Sequence, residues 1–391
     1  MLSPGNKFLT SPPFFCSMRM KKLGKIFAEL LAERDIYKIG SLSKRVPKRY
    51  SRDKLQEIAT AVLEGYGTIC RLKKPAYIGW DLEGNPVHWV EYAFVHSSIA
   101  GEFKPVLTSR DLRNALPDSP YFIIDLMHWE KHSQKEKIKV ALQSAQSYGV
   151  ICDYLWGDRL ALTWVNEEFK ALANFPLDKI TAYEGSTAEF LKEESIGEVV
   201  LLDPRAEKEL GPDDLNAGAF VIGGIIDTSG KKRGITARIG DALEDAGIKV
   251  RRRKITLRGD IIGVPDRINM ILDIMLRILV EEKPAEKAIL EVQAPLQARW
   301  RLRKELPKRA IRYKVNGKTY RVIEKELFDE YSRWLKIRWE DFVKVLRELD
   351  LIALERKRIQ HLNKISNPRL INGKTYRVIL LKKAAMLCYN C

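Results

Sequence analysis

Two apolar runs, Val199-Val-Leu-Leu-Asp203-Pro204 and Ala219-Phe-Val-Ile-Gly-Gly-Ile-Ile-Asp227, each stop at an aspartate, and the second carries a glycine pair inside its apolar stretch. Residues without Cβ let a ligand or another chain segment approach the backbone closely. A carboxylate at the carboxyl end of a strand in an α/β sheet stands where ligands bind. Together they place exposed main chain and an acid at one point. The same pattern is met by a core strand closed by an Asx turn.

Other chemistries find less support. His128 and His132 lie four apart, but Glu130 is misplaced for a zinc-protease helix and no third ligand follows, so a solvated helix face is expected and no metal. Cys388 and Cys391 have the gap of a metal knuckle without a second pair. Five scattered cysteines argue against a disulfide framework and for a reducing, cytoplasmic setting. No Gly-x-Gly-x-x-Gly follows a strand, and neither a Walker loop nor a nucleophile elbow occurs.

The elements that must position these residues divide the 391-residue chain into parts. Residues 1–20 lack the basic start, apolar stretch and cleavage site of a leader and read as a disordered extension, with Met18 or Met20 as alternative starts. Residues 21–117 read as an α+β module: helices over 21–33 and 53–63, then a hairpin between Tyr77 and Ile99. From 118 to 295 strands alternate with helices. Strands are predicted at Tyr121–Asp125, Val150–Asp153, Leu160–Trp164, Val199–Leu202 and Phe220–Ile222, and helices at 133–148, 187–194, 236–246 and from Pro265. Continuous apolar strands separated by helices imply a mainly parallel sheet covered on both faces.

Residues 296–391 contain a repeat, Val315-Asn-Gly-Lys-Thr-Tyr-Arg-Val-Ile323 and Ile371-Asn-Gly-Lys-Thr-Tyr-Arg-Val-Ile379. Asn-Gly followed by alternation predicts a hairpin in both copies. Helices over 324–335 and 338–349 lie between them, an order that fits a winged helix with Glu355–Arg358 near the wing, or a basic helical cap with two similar hairpins.

Charge is segregated along the chain. Residues 1–117 hold 19 basic and 11 acidic side chains, residues 118–295 hold 24 and 30, and residues 296–391 hold 25 and 10. An acidic centre between basic ends suits a polyanion gripped at its flanks and presented to the middle. Heat adaptation accounts for high charge but not for its segregation. The basic bursts inside the centre, Lys231, Lys232, Arg233, Arg238 and Arg251-Arg252-Arg253, follow the glycine-bearing strand and are expected to meet nucleic-acid phosphates; a solvated helix start and a charge-protected edge strand are the alternative.

Over about residues 120–280 the chain resembles the tRNA purine-9 N1-methyltransferase family of the SPOUT class, in its archaeal form. The resemblance rests on Tyr121-Phe-Ile-Ile-Asp125, the helix bearing Gln143 and Gln146, Val-Ile-Gly-Gly-Ile-Ile-Asp227, the arginine-rich strand after it and Val264-Pro-Asp-Arg-Ile-Asn269. It implies that the central α/β part is a SPOUT-type trefoil-knotted, mainly parallel sheet, which the residue patterns set between an N-terminal α+β domain and a basic C-terminal α+β domain, winged-helix-like or a helical cap. It also implies a monomer that binds S-adenosylmethionine and acts on tRNA. Cofactor contacts carry over by loop: Leu202, Asp203 and Pro204; Ile222, Gly223 and Gly224; Thr256 and Leu257; Gly263 and Val264. Asp227 matches the aspartate proposed as general base, and Asp266 and Asp125 match further acidic positions.

Guanine N1 carries a proton that must leave on methylation, whereas adenine N1 offers a lone pair and becomes cationic. One carboxylate serves the first as a base and the second by electrostatic stabilisation. An aspartate, with a reference pKa of about 3.9, needs burial or a second carboxylate to act as a base, a part Asp266 is expected to play. Asp266 also suits a helix N-terminus. The alternative function is a non-enzymatic, nucleic-acid-binding regulator.

Overall fold

The computed structural model describes residues 20–42, 53–118, 120–228 and 230–379; the extension before Met20 and the Cys388–Cys391 pair lie outside them. Three sheets follow one another along the chain.

The first part comprises α1 (Leu23–Ala32), β1 (Lys38–Ser41), α2 (Lys54–Leu63), β2 (Gly67–Asp81), β3 (Pro86–His96), β4 (Lys104–Leu107) and α3 (Ser109–Asn114), with strand order β1-β3-β2-β4. Asp53 caps α2 through the backbone N–H of Gln56, and a Thr108–Asp111 capping box starts α3. The predicted hairpin is present, with longer strands than the alternation marked. Its packing does not stop at residue 117. Gln56, fully buried, accepts from the Gly24 N–H at 2.7 Å and donates to the Cys152 and Leu155 carbonyls, both at 2.9 Å, tying the module to the central part.

The central part runs β5 (Tyr121–Asp125), α4 (Gln134–Tyr154), β6 (Leu160–Thr163), α5 (Glu167–Leu172), β7 (Thr181–Ala182), α6 (Thr187–Glu193), β8 (Glu198–Leu202), β9 (Ala219–Gly223), α7 (Ala237–Asp245), β10 (Lys249–Arg253) and α8 (Ile268–Leu279). Its six strands are parallel, in the order β10-β8-β9-β5-β6-β7. Thus β9 enters between β8 and β5, and their carboxyl ends lie side by side. The predicted strand at 150–153 is instead the last turn of α4. Val140, Ser144, Ser147 and Ile151 form one buried helical stripe, and its two serines, which back-bond to the Val140 and Gln143 carbonyls, interrupted the apolar periodicity. Helix α8 starts at Ile268 rather than Pro265, with Arg267 as its N-cap.

The rest comprises α9 (Ala285–Val292), α10 (Pro295–Arg309), β11 (Ile311–Val315), β12 (Lys318–Glu324), α11 (Leu327–Ser332), α12 (Trp339–Glu348), β13 (Ile352–Leu354), α13 (Arg356–Ile365), β14 (Asn367–Ile371) and β15 (Lys374–Ile379). Both repeats are hairpins turned by Asn-Gly pairs with positive φ at each residue, and they join through parallel β11–β15 pairing in the order β13-β12-β11-β15-β14. Arg356–Arg358 open helix α13 instead of flanking a wing. Ile274 and Ile278 of α8 share a core with Ala298, Leu302, Trp334 and Phe342, so packing also crosses residue 296.

Candidate active site

The carboxyl ends of β8, β9 and β5 and the loop after β10 meet at one edge of the central sheet. The Asp203 N–H donates to the Arg253 carbonyl at 2.8 Å, and the Leu210 N–H to the Lys254 carbonyl at 2.9 Å, so the chain leaving β10 runs against the β8–β9 connection. Leu202 and Asp203 are buried there while Pro204 is exposed; the Asp203 carboxylate accepts from the Arg205 N–H at 2.9 Å, an Asx turn.

Gly224 shows what the glycine pair is for. Its N–H donates to the Asp125 carbonyl at 2.8 Å, and a Cβ built on it would lie 2.8 Å from that oxygen and 2.7 Å from Leu126 Cδ2. The close approach is to β5, a chain segment, and a side chain at 224 would push the two strand ends apart. At Gly223 a Cβ would meet the flexible ends of Ile225, at 2.9 Å, and Ile239, at 3.4 Å, and Ile222 is buried beneath.

Asp125 lies inside. Its carboxylate is 2 % exposed, accepts from the Met127 N–H at 2.8 Å and the Thr187 hydroxyl at 2.5 Å, and is pushed up to about 6 by burial. The structure therefore spends this expected catalytic acid on anchoring the β5 turn to the start of α6. Asp227 and Asp266 are exposed; one oxygen of Asp227 accepts from the Lys232 N–H at 2.8 Å. Among the described residues no hydrogen bond or ion pair joins Asp227 to Asp266. Asp266 precedes the Arg267 cap, outside the first turn of α8.

The segment after β9 is stapled to the start of α4. Buried Glu136 caps Ser133 and accepts from the Thr228 N–H (2.9 Å), the Thr228 hydroxyl (2.8 Å) and Lys232 Nζ (2.6 Å). These donors hold its carboxyl far below the usual carboxylate range, Lys232 foremost. Lys232 Nζ also donates to the Ile226 carbonyl at 3.0 Å. His132 Nε2 accepts from the Ile226 N–H at 3.0 Å, so its proton sits on Nδ1, 3.2 Å from the Trp129 carbonyl; His128 Nε2 lies 3.3 Å from the Ile235 carbonyl. Both histidines are buried rather than on a solvated face, and burial lowers the pKa of each. The Ser133-x-x-Glu136 capping box was legible in the sequence. That the second carboxylate oxygen would seize a distant loop was not.

The arginine-rich strand is likewise turned to internal partners. Arg251 meets Glu198 at 2.6 Å and Asp214 at 3.2 Å, Arg253 meets buried Asp214 at 2.7 Å, and Arg252 meets Asp241 and Glu244 at 2.6 and 2.8 Å. With Lys232 inside the staple, the exposed members of the expected RNA-binding set are Lys231, Arg233 and Arg238.

The Thr256–Val264 loop is held from the C-terminal part. Arg301 of α10, 5 % exposed, donates to the Leu257 and Ile262 carbonyls at 3.0 and 3.2 Å and pairs with Glu305 at 2.9 Å. Gln293 Nε2 donates to the Gly263 carbonyl at 2.6 Å. Gly263 has φ +99°, and a Cβ there would lie 3.0 Å from Arg301 Cβ, so the loop conformation and the helix contact both require glycine. Leu257 is fully buried and Thr256 half-buried. Sequence spacing contained no sign of Arg301 or Gln293. At the start of α8, Gln143 Oε1 accepts from the Ile268 N–H at 2.9 Å, while the buried Asn269 Oδ1 has no partner.

Among the described residues no cluster of His, Cys, Asp or Glu is arranged to hold a metal, and no helix is long and apolar enough to cross a membrane.

Residues 24–115 match the N domain, and residues 299–384 the C domain, of the archaeal tRNA (guanine(9)-/adenine(9)-N1)-methyltransferases; residues 129–252 match the protein arginine N-methyltransferase SFM1-like family. A tRNA (guanine(9)-/adenine(9)-N1)-methyltransferase from Thermococcus kodakarensis is 62% identical over 372 residues, covering 95% of this chain and 100% of that protein. A tRNA (adenine(9)-N1)-methyltransferase from Sulfolobus acidocaldarius is 30% identical over 222 residues, 56% of this chain and 66% of that protein. The crystal structure of a dual specific Trm10 from Thermococcus kodakaraensis superposes with a TM-score of 0.60 at 49% identity, covering 68% of this chain and 99% of that one. The Sulfolobus acidocaldarius Trm10 complex with S-adenosylhomocysteine shares the fold, with a TM-score of 0.58 at 24% identity over 84% and 99% of the two chains.

Proposed function

We infer the reaction from this premise: the chain belongs to the archaeal tRNA (guanine(9)-/adenine(9)-N1)-methyltransferase family, and it is an S-adenosylmethionine-dependent enzyme that methylates N1 of the purine at tRNA position 9. When bound, S-adenosylmethionine supplies an electrophilic methyl group on a sulfonium. The reading of a non-enzymatic regulator is set aside by this membership.

The single observation that carries the proposed site is the meeting of the β8 end, the glycine pair at the end of β9 and the Thr256–Val264 loop at one sheet edge. The residues fit a nucleoside-bearing donor: the walls are main chain, and Asn269 Oδ1 is a buried acceptor without a donor. In this reading Leu202–Pro204, Ile222–Gly224, Thr256, Leu257, Gly263 and Val264 form the walls. The parallel run of the chain leaving β10 against the β8–β9 connection supports a trefoil knot around them.

Asp227 then faces the purine. Being exposed, it orients N1 and stabilises charge there: it accepts from guanine N1–H and passes that proton to solvent as methylation displaces it, or counters the cation formed on adenine. The Lys232 N–H fixes that carboxylate and the Glu136 staple fixes Lys232. Asp266, exposed and without a partner among the described residues, is left to approach substrate, whereas Asp125 serves by holding Gly224 in place. Lys231, Arg233 and Arg238 meet phosphates near the site, and the basic 21–117 and 296–391 parts grip the rest of a tRNA in the cytoplasm, with the chain acting as a monomer. The interruption of the helix pair and hairpin by β13 and α13 favours the basic-cap description of the C-terminal part over a winged helix.

Incubating unmodified tRNA with the chain and S-adenosylmethionine, then mapping the methylated nucleotide by mass spectrometry, tests the reading. Methyl on N1 of residue 9 is expected; methyl elsewhere, or none, overturns it.

A further inference from the structure

The far end of the β2–β3 hairpin carries rings that nothing in the fold covers. Tyr77, Ile78 and Trp89 are 57 %, 60 % and 66 % exposed. Tyr77 stacks on His88 with ring centres 4.6 Å apart and meets Trp89 edge-on at 5.3 Å. The rings are thus ordered against one another before any partner arrives.

The backbone is bent to display them. Trp89 has φ +58°, a left-handed conformation that a bulky residue adopts only under constraint. Regular alternation would send His88 and Trp89 to opposite faces, yet both are exposed and both meet Tyr77. Beside them the ladder breaks: Arg71 pairs with Tyr92 and Ala76 with Val90, so five steps along β2 match two along β3. The bulge carries Lys73 and Lys74, both exposed, four and three residues before Tyr77 on the same strand. Neither cation has an ion pair among the described residues, although Lys73 lies 5.9 Å over the Phe103 ring.

Aromatic faces with exposed cations along the same hairpin are the makings of a surface for unpaired nucleotides: rings stack on bases and cations meet the adjoining phosphates. A second copy of the chain is disfavoured, because the same lysines would face each other. We propose that this hairpin end is a stacking platform for an unpaired base of the bound tRNA, outside the methyl-transfer site. The proposal rests on the tRNA-methyltransferase reading and adds a contact to it.

The test uses the full chain and unmodified tRNA. In the double variant Tyr77→Ala, Trp89→Ala, tRNA dissociation constants from filter binding should rise about ten-fold or more. Cofactor affinity by calorimetry and turnover at saturating tRNA should stay at the parent values. Trp89→Phe, which keeps a stacking face, should bind within about three-fold of the parent. Parent-like tRNA affinity in the double variant, with an unchanged melting temperature, overturns the proposal. So does a parent chain that sediments as a dimer which the double variant dissolves, since the occupant is then a second copy. Failure of methyl mapping at residue 9 strikes the reaction alone and leaves the binding comparison interpretable.

Discussion

At the scale of residues, two aspartates that look alike in sequence do different work. Asp125 and Asp227 both end apolar runs of sequence, yet one closes a strand and is buried on Thr187, while the other lies four residues past β9, exposed on the Lys232 N–H. For Asp125 the folded pKa of about 6 lies above the unfolded value of about 3.9, so the folded state binds the proton more tightly. That contribution is complete below about pH 4 and lost as pH rises through about 6, a span of about 3 kcal/mol at most. Asp125→Asn should remove it, and denaturant melts from pH 4 to 8 will show a flatter stability profile than the parent. Asp227→Asn should lower turnover on both purines, and on guanine more than on adenine, since only guanine presents N1–H to the carboxylate; parent-level activity on both refutes the orienting role. Strand ends were legible in the sequence as places for acids. Which acid faced solvent was not, because that depends on α6, some sixty residues away, supplying Thr187.

At the scale of elements, the decisive unit is the Glu136–Lys232–Thr228 staple between α4 and the segment after β9. Lys232→Met leaves buried Glu136 without its cation, a type of change that costs about 3–5 kcal/mol. Hydrogen exchange at residues 226–235 should accelerate and turnover should fall, while the outer sheets stay protected. His132 adds an acid limit. Its lowered pKa means that its support is present above the unfolded value of about 6.5 and lost as pH falls through the folded one, when Nε2 gains a proton and can no longer accept from Ile226. The arginines of β10 show the same principle. Read along the chain they are a basic burst; in the sheet they neutralise Asp214, Glu198, Asp241 and Glu244. Arg251→Ala with Arg253→Ala should therefore lower the melting temperature more than it weakens tRNA binding, whereas Arg233→Ala with Arg238→Ala should reduce the slope of log affinity against log salt by about one per residue.

At the scale of the molecule, the C-terminal part holds the loop proposed to bind the cofactor. Arg301 and Gln293 hold the carbonyls of the Thr256–Val264 loop, and Leu257, Ile274 and Ile278 pack with α10 and α12. Arg301→Ala should weaken S-adenosylmethionine binding at least ten-fold in calorimetry, because each lost charged hydrogen bond is worth about 1.5–3 kcal/mol. Arg301→Lys should not restore it, since one ammonium cannot reach several carbonyls in a fixed fork. A chain ending at residue 295 should lose cofactor binding along with the helices that cover Leu257.

The sequence by itself determined the period of most elements, the capping boxes, both Asn-Gly hairpins and the segregation of charge, because these depend on neighbours within a few residues. The tertiary structure alone decided which carboxylates are buried, which cations remain exposed and which distant helix holds the Thr256–Val264 loop. Those outcomes depend on partners such as Asp125 and Thr187, Glu136 and Lys232, or Leu257 and Arg301, which meet only after β9 has entered between β8 and β5 and α10 has packed against α8. Burial and pairing are properties of that assembled neighbourhood, and no local pattern encodes them.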